Sequence, residues 1–188
     1  MLWIKWFNIN NKKVIAMRTI AIFDEKNYQN TETVFEKYNV RGIIVRNGRL
    51  AMQCSSDGEY KIPGGGREAG ESLLQTLVRE IREETGLVVI ENGVSELGEI
   101  IELRRDIFDD SKKYVCHSLF YYCTVNGEAV ETALTASEVA KGYYLKWATP
   151  EEIYRTNLKK GRDPWIKRDT EFIRMLIDKE VILPEPVL

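Results

Sequence analysis

The chain has 188 residues, of which 44% are hydrophobic and 30% are charged, and its formal net charge is −2. These values suit one globular domain with a sizeable core, and they provide no excess of positive charge for binding duplex nucleic acid or an anionic membrane. The three cysteines, Cys54, Cys116 and Cys123, form no CxxC pair, and their odd number argues against a disulfide framework. We therefore expect reduced thiols packed in the core.

The first residues, MLWIKWFNINNKK, contain an apolar run that is too short for a signal-peptide core or a membrane span, and Lys5 interrupts it. We therefore expect a cytoplasmic protein. We interpret residues 1–16 as an N-terminal extension and residues 17–188 as a single domain, with the native start at Met17, where MRTIAIFD opens a strand-like pattern. The alternative is that the extension forms a strand or a short segment packed on the surface.

Strand signals dominate the first half of the chain. Residues 40–54, VRGIIVRNGRLAMQC, contain two strand-like runs around Asn47-Gly48, a dipeptide typical of β-hairpins. Residues 59–62, EYKI, predict a short strand, and PGGG at 63–66 ends it. Residues 71–85 predict a helix that ends at Gly86.

The second half of the chain predicts further strands and two more helices. Thr149 followed by Pro150 is typical of a helix start, and a last helix is expected over residues 164–180. This arrangement predicts an α/β or α+β sandwich of a mixed sheet and flanking helices. The remaining segments are a strand over 87–91, a turn at Asn92-Gly93, paired strands over 95–104 and 113–125, a loop or short helix over 128–142, and a strand over 143–148.

The helix over residues 71–85 carries an unusual group of acids. On a helical wheel, Glu80, Glu83 and Glu84 border the apolar sector, and Glu84 leans into it. Carboxylates at a core edge are costly to desolvate, so they share protons or bind a cation, and Mg²⁺ prefers oxygen ligands of this kind. The alternative is a solvated helix face on which Arg79 and Glu83 form an i,i+4 ion pair. The apolar sector consists of Leu73, Leu74, Leu77, Val78 and Ile81.

A glycine-rich segment, PGGGREAGE, directly precedes this helix. Glycines such as Gly64, Gly65 and Gly66 allow the backbone to approach a ligand closely, and a helix N-terminus favours phosphate. The glycines are therefore expected to contact the substrate. Together with the carboxylates, the segment predicts a metal-assisted phosphate site.

At residues 65–87 the sequence resembles the Nudix box, and the resemblance extends over about residues 38–180. It implies a Nudix-type α/β/α sandwich with a mixed β-sheet, and hydrolysis of a nucleoside diphosphate linked to another group with Mg²⁺ or Mn²⁺. A metal-activated water would attack phosphorus. The positions that match the box are Gly65, Glu71, Arg79, Glu80, Ile81, Glu83, Glu84, Gly86 and Leu87.

The same resemblance implies roles for individual residues. Glu80, Glu83 and Glu84 would ligate the metal, and a backbone carbonyl near Gly65 would complete the site. Glu71 would either support the loop–helix junction or bind the metal through a water molecule. Arg79 would hold the carboxylates in position by charge-assisted hydrogen bonds.

The general base is open between the box and a late loop. Glu80 is one candidate, and the acids Glu128, Glu131 and Glu138 of the loop over 128–142 are others. We favour Glu138. For each loop acid the alternative is an ordinary solvated surface position.

Several other residues are interpreted as structural. His117, the only histidine, is expected to pack or to occupy an exposed strand position. Residues 167–169, KRD, predict a solvated helix face, although Arg168 could reach a phosphate. Trp147 and Trp165 are expected to pack between the last strand and the final helix. Core positions are expected for Phe120, Tyr121 and Tyr122, one of which could stack on a nucleobase.

The substrate is less well defined than the chemistry. Residues 102–105 contain no proline or tyrosine, and the proline-rich stretch of NADH-cleaving relatives is absent. We therefore expect a MutT-like nucleoside triphosphate pyrophosphatase, including one that removes oxidised nucleotides. Alternatives are an ADP-ribose or other nucleotide-sugar pyrophosphatase, a non-catalytic nucleotide sensor, and an isoprenoid diphosphate isomerase. The isomerase is disfavoured because this sequence contains no evident cysteine–glutamate pair placed to protonate carbon. The expected partners are a small nucleotide substrate and a second copy of the chain.

Overall fold

The computed structural model describes residues 6–9 and 12–15 as backbone, and residues 17–161 and 163–184 with their side chains apart from that of Glu128. Its strands are β1 (Trp6–Ile9), β2 (Lys12–Ile15), β3 (Thr19–Asp24), β4 (Thr33–Ile43), β5 (Val45–Arg46), β6 (Arg49–Cys54), β7 (Tyr60–Lys61), β8 (Leu87–Arg105), β9 (Lys112–Ala129) and β10 (Tyr144–Ala148). Its helices are α1 (Leu73–Thr85), α2 (Ala136–Ala140), α3 (Pro150–Lys160) and α4 (Pro164–Ile177).

The main sheet is mixed and has the strand order β3-β8-β9-β4. Strands β8 and β9 are antiparallel, whereas β3 is parallel to β8 and β4 is parallel to β9. A second, antiparallel sheet has the order β10-β6-β5, and β7 also pairs with β6. The mixed sheet confirms the predicted fold class.

Helices pack on both sides of the sheets, because each side has its own cluster of buried apolar residues. Helix α1 buries Leu77 and Ile81 in a cluster with Val40 and Leu119. Helices α3 and α4 contribute to the other cluster, in which Phe172 stacks on Phe120 with ring centroids 4.0 Å apart. The layers are therefore helix, sheet and helix, as in the predicted α/β/α sandwich.

Helix α1 forms where the sequence places its start and stop signals. The Ser72 side chain accepts a hydrogen bond from the Gln75 amide, and the Gln75 side chain accepts one from the Ser72 amide, so both ends of a capping box are present. Gly86 ends the helix with φ 71°, a left-handed conformation that favours glycine. The predicted range of 71–85 is confirmed to within two residues, although Leu74 of the expected apolar sector is exposed.

The strand predictions are confirmed in part. The hairpin at Asn47-Gly48 and the pairing of the long strands in the second half are present. The predicted turn at Asn92-Gly93 is wrong, because β8 continues through it and accommodates the interruption by shifts of register with β9. Strand β4 begins at Thr33, seven residues before the strand predicted to start at residue 40. The additional residues are in the strand because every residue of β4 pairs with one of β9.

At the N-terminus, the strand-like run after Met17 forms β3, which pairs with β8. The backbones of β1 and β2 pair with each other in an antiparallel two-stranded sheet. The remaining residues of the 1–16 segment lie outside the described part of the chain, and a native start at Met17 stays a prediction. No helix in the described residues is long and apolar enough to cross a membrane.

The structural roles expected for cysteines and aromatic residues are mostly confirmed. The three cysteines are free and buried, and burial raises the pKa of Cys123 to about 12. Phe120, Tyr121 and Tyr122 are buried in the core. The expectation for Trp147 is wrong, because it packs with the α1 cluster rather than against the final helix, and the Arg46 guanidinium lies 5.0 Å from its ring centroid.

Candidate active site

Helix α1 brings its most buried carboxylate against the glycine loop. The Glu84 side chain is 3% exposed, as expected for the acid that leans into the apolar sector. One of its oxygens accepts a hydrogen bond from the Gly64 amide at 2.5 Å, and the other lies 2.6 Å from the Lys61 ammonium. Burial raises the pKa of Glu84 to about 7, against the opposing effect of Lys61.

Arg79 connects the remaining acids of the box. Its guanidinium donates to both oxygens of Glu71, at 2.6 and 3.0 Å, and also reaches Glu80 at 2.9 Å and Glu83 at 3.1 Å. It further donates to the Gly66 carbonyl at 3.3 Å, which links the helix to the loop. The hydrogen bonds from Arg79 are the main reason why the pKa of Glu71 falls to about 2. Arg79 therefore contacts three carboxylates of the box, and its role in positioning them stays a prediction.

Close contacts restrict two of the loop glycines to different degrees. A Cβ atom on Gly65 would lie 2.5 Å from a carboxylate oxygen of Glu80, so the flexible end of that side chain would have to move. Gly64 has φ 132°, and a Cβ there would collide with the Val40 carbonyl. The absence of side chains at these positions brings the loop backbone against the α1 carboxylates.

In the described residues, no group of three or more His, Cys, Asp or Glu side chains is gathered closely enough to hold a metal ion. The reason is that Glu80 and Glu83 turn towards Arg79, while Glu84 turns towards Lys61. The donor set nevertheless fits a hard divalent cation, because it consists of oxygens and includes a buried carboxylate that already stabilises a positive charge, the Lys61 ammonium. A bound cation would compete with Lys61 and Arg79 for these oxygens.

Of the candidate bases in the late loop, Glu138 lies beside the box. One of its oxygens is 3.6 Å from the Lys61 ammonium, and the other accepts hydrogen bonds from the Thr135 amide and hydroxyl. Partial burial alone would raise the pKa of Glu138, but these hydrogen bonds and the neighbouring Glu84 and Lys61 outweigh it and the pKa is lowered. Glu131 is exposed, and the side chain of Glu128 lies outside the described residues.

A cavity of about 340 Å³ adjoins this site. It extends from Lys61 and Glu138 across the face of the main sheet to Phe108 in the loop between β8 and β9. The polar wall of this cavity was not predicted, although polar residues alternate along the strand at positions 37, 39 and 41 and such alternation indicates a polar face. This wall consists of Lys37, Asn39 and Arg41 from β4 and Glu102 and Arg104 from β8.

The predicted solvated face at residues 167–169 is wrong for two of its three members. Arg168 and Asp169 are 2% and 0% exposed, and the Asp169 carboxylate accepts from Arg168 at 2.7 Å. Arg168 also reaches Glu102 at 3.2 Å and lines the cavity. The other carboxylate oxygen of Asp169 accepts a hydrogen bond from the Ile62 amide at 2.9 Å, which links α4 to the residue that precedes the PGGG loop.

The structure also shows the surroundings of His117 and Trp165, two residues that were interpreted as structural. His117 stacks on Tyr38 with centroids 4.6 Å apart and contacts Glu36 and Glu99, which agrees with a packing role. Trp165 lies on α4 itself, lines the cavity and has the Lys141 ammonium 5.3 Å from its ring centroid.

The Arg79–Glu71 pair predicts a pH-dependent contribution to stability. The pKa of Glu71 is about 2 in the folded chain and 4.5 ordinarily, so its contribution is complete above pH 4.5 and is lost as the pH falls towards 2. In metal-free buffer, Glu71→Gln is expected to lower the melting temperature at pH 7, by a margin that shrinks below pH 4.5. Glu68→Gln, an exposed neighbour in the same loop, is the control; equal effects of the two variants at pH 7 would refute the assignment.

Comparisons with known proteins point to one family. A family model described as NUDIX domain matches residues 37–169. A MutT-like protein of Streptomyces ambofaciens is 27% identical over 125 residues, which are 65% of this chain and 70% of that protein. A NUDIX hydrolase from Nitrosomonas europaea has a TM-score of 0.53 at 18% identity, over 76% of this chain and 90% of that chain. A MutT protein from Bacillus halodurans has a TM-score of 0.52 at 22% identity, over 75% and 82%.

At these identities the likeness to solved structures shows the fold alone. The family model, in contrast, covers well over half of the chain and includes both the glycine loop and the α1 carboxylates. Since the model match and the geometry of the box agree, the chain belongs to the NUDIX domain family and is a pyrophosphohydrolase.

Proposed function

We propose that the protein hydrolyses a nucleoside diphosphate linked to a further group, with Mg²⁺ or Mn²⁺ held by Glu80, Glu83 and Glu84. The observation that carries this proposal is the buried Glu84 carboxylate, bonded to the Gly64 amide on one side and to the Lys61 ammonium on the other. A carboxylate with so little exposure is stabilised by positive charge, and a diphosphate brings negative charge that a divalent cation would balance.

Arg79 and Arg41 position the carboxylates and the loop backbone in the absence of substrate. Arg79 holds Glu71 at the start of the helix and keeps Glu80 and Glu83 on the side of the loop. Arg41 donates to the carbonyls of Ile62 and Gly64, which fixes the backbone that leads into the loop. A cation bound at the carboxylates would neutralise phosphate oxygens and lower the pKa of a water molecule.

We assign proton acceptance to Glu138. Its lowered pKa means that the carboxylate is ionised at neutral pH, which a general base requires. Its position beside Lys61 places it next to Glu84, at the opening of the cavity. Glu80 is the alternative base; burial raises its pKa, and one of its oxygens accepts a hydrogen bond from Arg79.

For the substrate, we propose a nucleoside triphosphate, oxidised nucleotides included. The similarity to a MutT-like protein supports this choice, and a cavity of about 340 Å³ lies within the range of small-molecule sites. ADP-ribose and nucleotide sugars are the alternative substrates. Homodimer formation and a cytoplasmic location stay predictions.

The experiment is a hydrolysis panel with product identification by chromatography. Nucleoside triphosphates, 8-oxo-dGTP, ADP-ribose and a nucleotide sugar are each incubated with Mg²⁺, with Mn²⁺ and with a chelator. We expect turnover of at least one compound with metal and none with chelator. Metal without substrate is also expected to raise the melting temperature, since it binds the folded state. Ligand-induced stabilisation without turnover of any compound would support a nucleotide sensor instead.

A further inference from the structure

Lys61 contacts the carboxylate that a divalent cation would need most. Its ammonium nitrogen lies 2.6 Å from Oε1 of Glu84, and the Gly64 amide donates to Oε2, so both oxygens of this buried carboxylate are engaged. A cation that takes Oε1 as a ligand would lie close to the ammonium, and like charges repel each other strongly in a buried site. Binding of a cation to Glu84 therefore requires one of its present partners to move.

Of the two partners of Glu84, the amide is fixed and the ammonium is not. Gly64 has φ 132°, and a Cβ atom there would collide with the Val40 carbonyl, so the loop backbone lies directly against β4. The Lys61 ammonium, in contrast, is at the end of a flexible aliphatic stem, and the side chain is 14% exposed. Because β7 pairs with β6, the backbone of Lys61 stays in place when its side chain moves.

The cavity beside the box gives the displaced ammonium a place to go. Lys61 lines this cavity together with Glu138 and Tyr143. Its ammonium nitrogen is 3.6 Å from Oε1 of Glu138 and 5.8 Å from the centroid of the Tyr143 ring. The other oxygen of Glu138 is held by the Thr135 amide and hydroxyl, so this carboxylate is a fixed partner that keeps the ammonium near the box.

We propose that Lys61 takes the place of the divalent cation in the free protein, and that it binds a phosphate oxygen of the substrate once a cation displaces it from Glu84. This proposal rests on the proposed function, because it concerns the same carboxylate and the same diphosphate. A phosphate oxygen that contacts both the cation and the ammonium removes the repulsion between them. Lysine suits this exchange because its charge is compact and its stem is flexible.

The exchange makes cation binding and phosphate binding depend on each other. Without phosphate, a cation displaces Lys61 and remains close to its charge, so the cation binds weakly. With phosphate, the ammonium has an anionic partner and the cation binds more tightly. Removal of the Lys61 charge therefore tightens the binding of the cation alone and weakens the binding of a diphosphate to the metal-loaded protein. A general loss of structure would weaken both.

The test uses Mn²⁺ alone and methylenediphosphonate, a diphosphate analogue with a P–C–P bridge that water does not cleave. Electron paramagnetic resonance of free Mn²⁺ gives Kd for the metal, and calorimetry at saturating Mn²⁺ gives Kd for the diphosphonate. In Lys61→Met we expect Mn²⁺ alone to bind about fivefold or more tightly than in the wild type, at the lower end of typical coupling between sites. The diphosphonate is expected to bind about fivefold or more weakly.

Further variants separate the charge of Lys61 from its structural contribution. Lys159→Met, which changes an exposed lysine near the end of α3, is the control and should keep both wild-type values. Lys61→Arg, which keeps the charge, should stay closer to the wild type than Lys61→Met in both measurements. Circular dichroism in a chelator reports the fold, because Lys61→Met leaves Glu84 without its charged partner. If that variant is unfolded, Lys61→Gln, which keeps a donor for Glu84, is measured in its place.

Unchanged or weaker binding of Mn²⁺ alone in the folded variant would overturn the proposal. Tighter binding of Mn²⁺ with an unchanged Kd for the diphosphonate would also overturn it, because the ammonium would then move to Glu138 and not to phosphate. Opposite shifts of the two Kd values, together with no turnover of any compound in the hydrolysis panel, would leave the role of Lys61 in place and contradict the proposed function. Turnover without these shifts would contradict the role of Lys61 alone.

Discussion

Replacing Glu84 with glutamine is expected to lower kcat by roughly 10²- to 10³-fold, the loss that removal of one preorganised charge-stabilising group typically causes. Glutamine keeps the size of the side chain and an oxygen that can accept from the Gly64 amide, so the loop retains its support. It removes the negative charge that the Lys61 ammonium now balances and that a divalent cation would use. Glu83→Gln is expected to act in the same direction.

The control for this prediction is Glu151→Gln, an exposed acid in the first turn of α3. Steady-state kinetics on the best compound of the panel measures kcat, and circular dichroism reports the fold of each variant. Near wild-type kcat in folded Glu84→Gln would mean that the α1 carboxylate does not take part in the reaction, and the ligand assignment would then be wrong.

Asp169→Ala is expected to lower the free energy of unfolding by about 3 kcal/mol, the lower end of the range for breaking a buried ion pair. The Arg168 guanidinium, which is 2% exposed, would lose its nearer carboxylate partner and keep Glu102. The substitution also leaves the Ile62 amide without its acceptor, just before the glycine loop. We therefore expect lower hydrolysis activity together with the lower stability.

The matched control lies two positions earlier on the same helix. Lys167 is exposed, and Lys167→Ala should change the free energy of unfolding by no more than about 0.5 kcal/mol. Asp169→Asn, which can still accept from Ile62, should fall between the two. Urea denaturation measures all three variants, and similar values for Asp169→Ala and Lys167→Ala would show that the face is solvated after all.

Those features of the candidate site that depend on residues close together in the sequence could be predicted. The spacing of Glu80, Glu83 and Glu84 on one helix defines which carboxylate leans towards the core, and the structure confirms that Glu84 is buried. The capping of α1 and its stop at Gly86 also follow from neighbouring residues. These features depend on helix periodicity and on short-range hydrogen bonds, which a sequence displays directly.

The rest of the site depends on contacts between distant parts of the chain. Asp169 is buried because the Ile62 amide, 107 residues earlier, donates to it, and Arg168 meets Glu102 across 66 residues. Nothing in the local pattern KRD distinguishes these residues from a solvated helix face. Arg41 of β4 and Arg104 of β8 likewise line one cavity only because of the order of strands in the sheet. The continuity of β8 through Asn92-Gly93 has the same origin, because pairing with β9 overrides a local turn signal.

The most direct test of the central claim is hydrolysis in ¹⁸O-labelled water, with mass spectrometry of both products. The compound that the panel identifies is cleaved in the presence of Mg²⁺. We predict that the label appears on phosphorus in one of the two phosphate-containing products, because water attacks the diphosphate beside the α1 carboxylates. Label on carbon, or cleavage that continues unchanged in the presence of a chelator, would contradict the account.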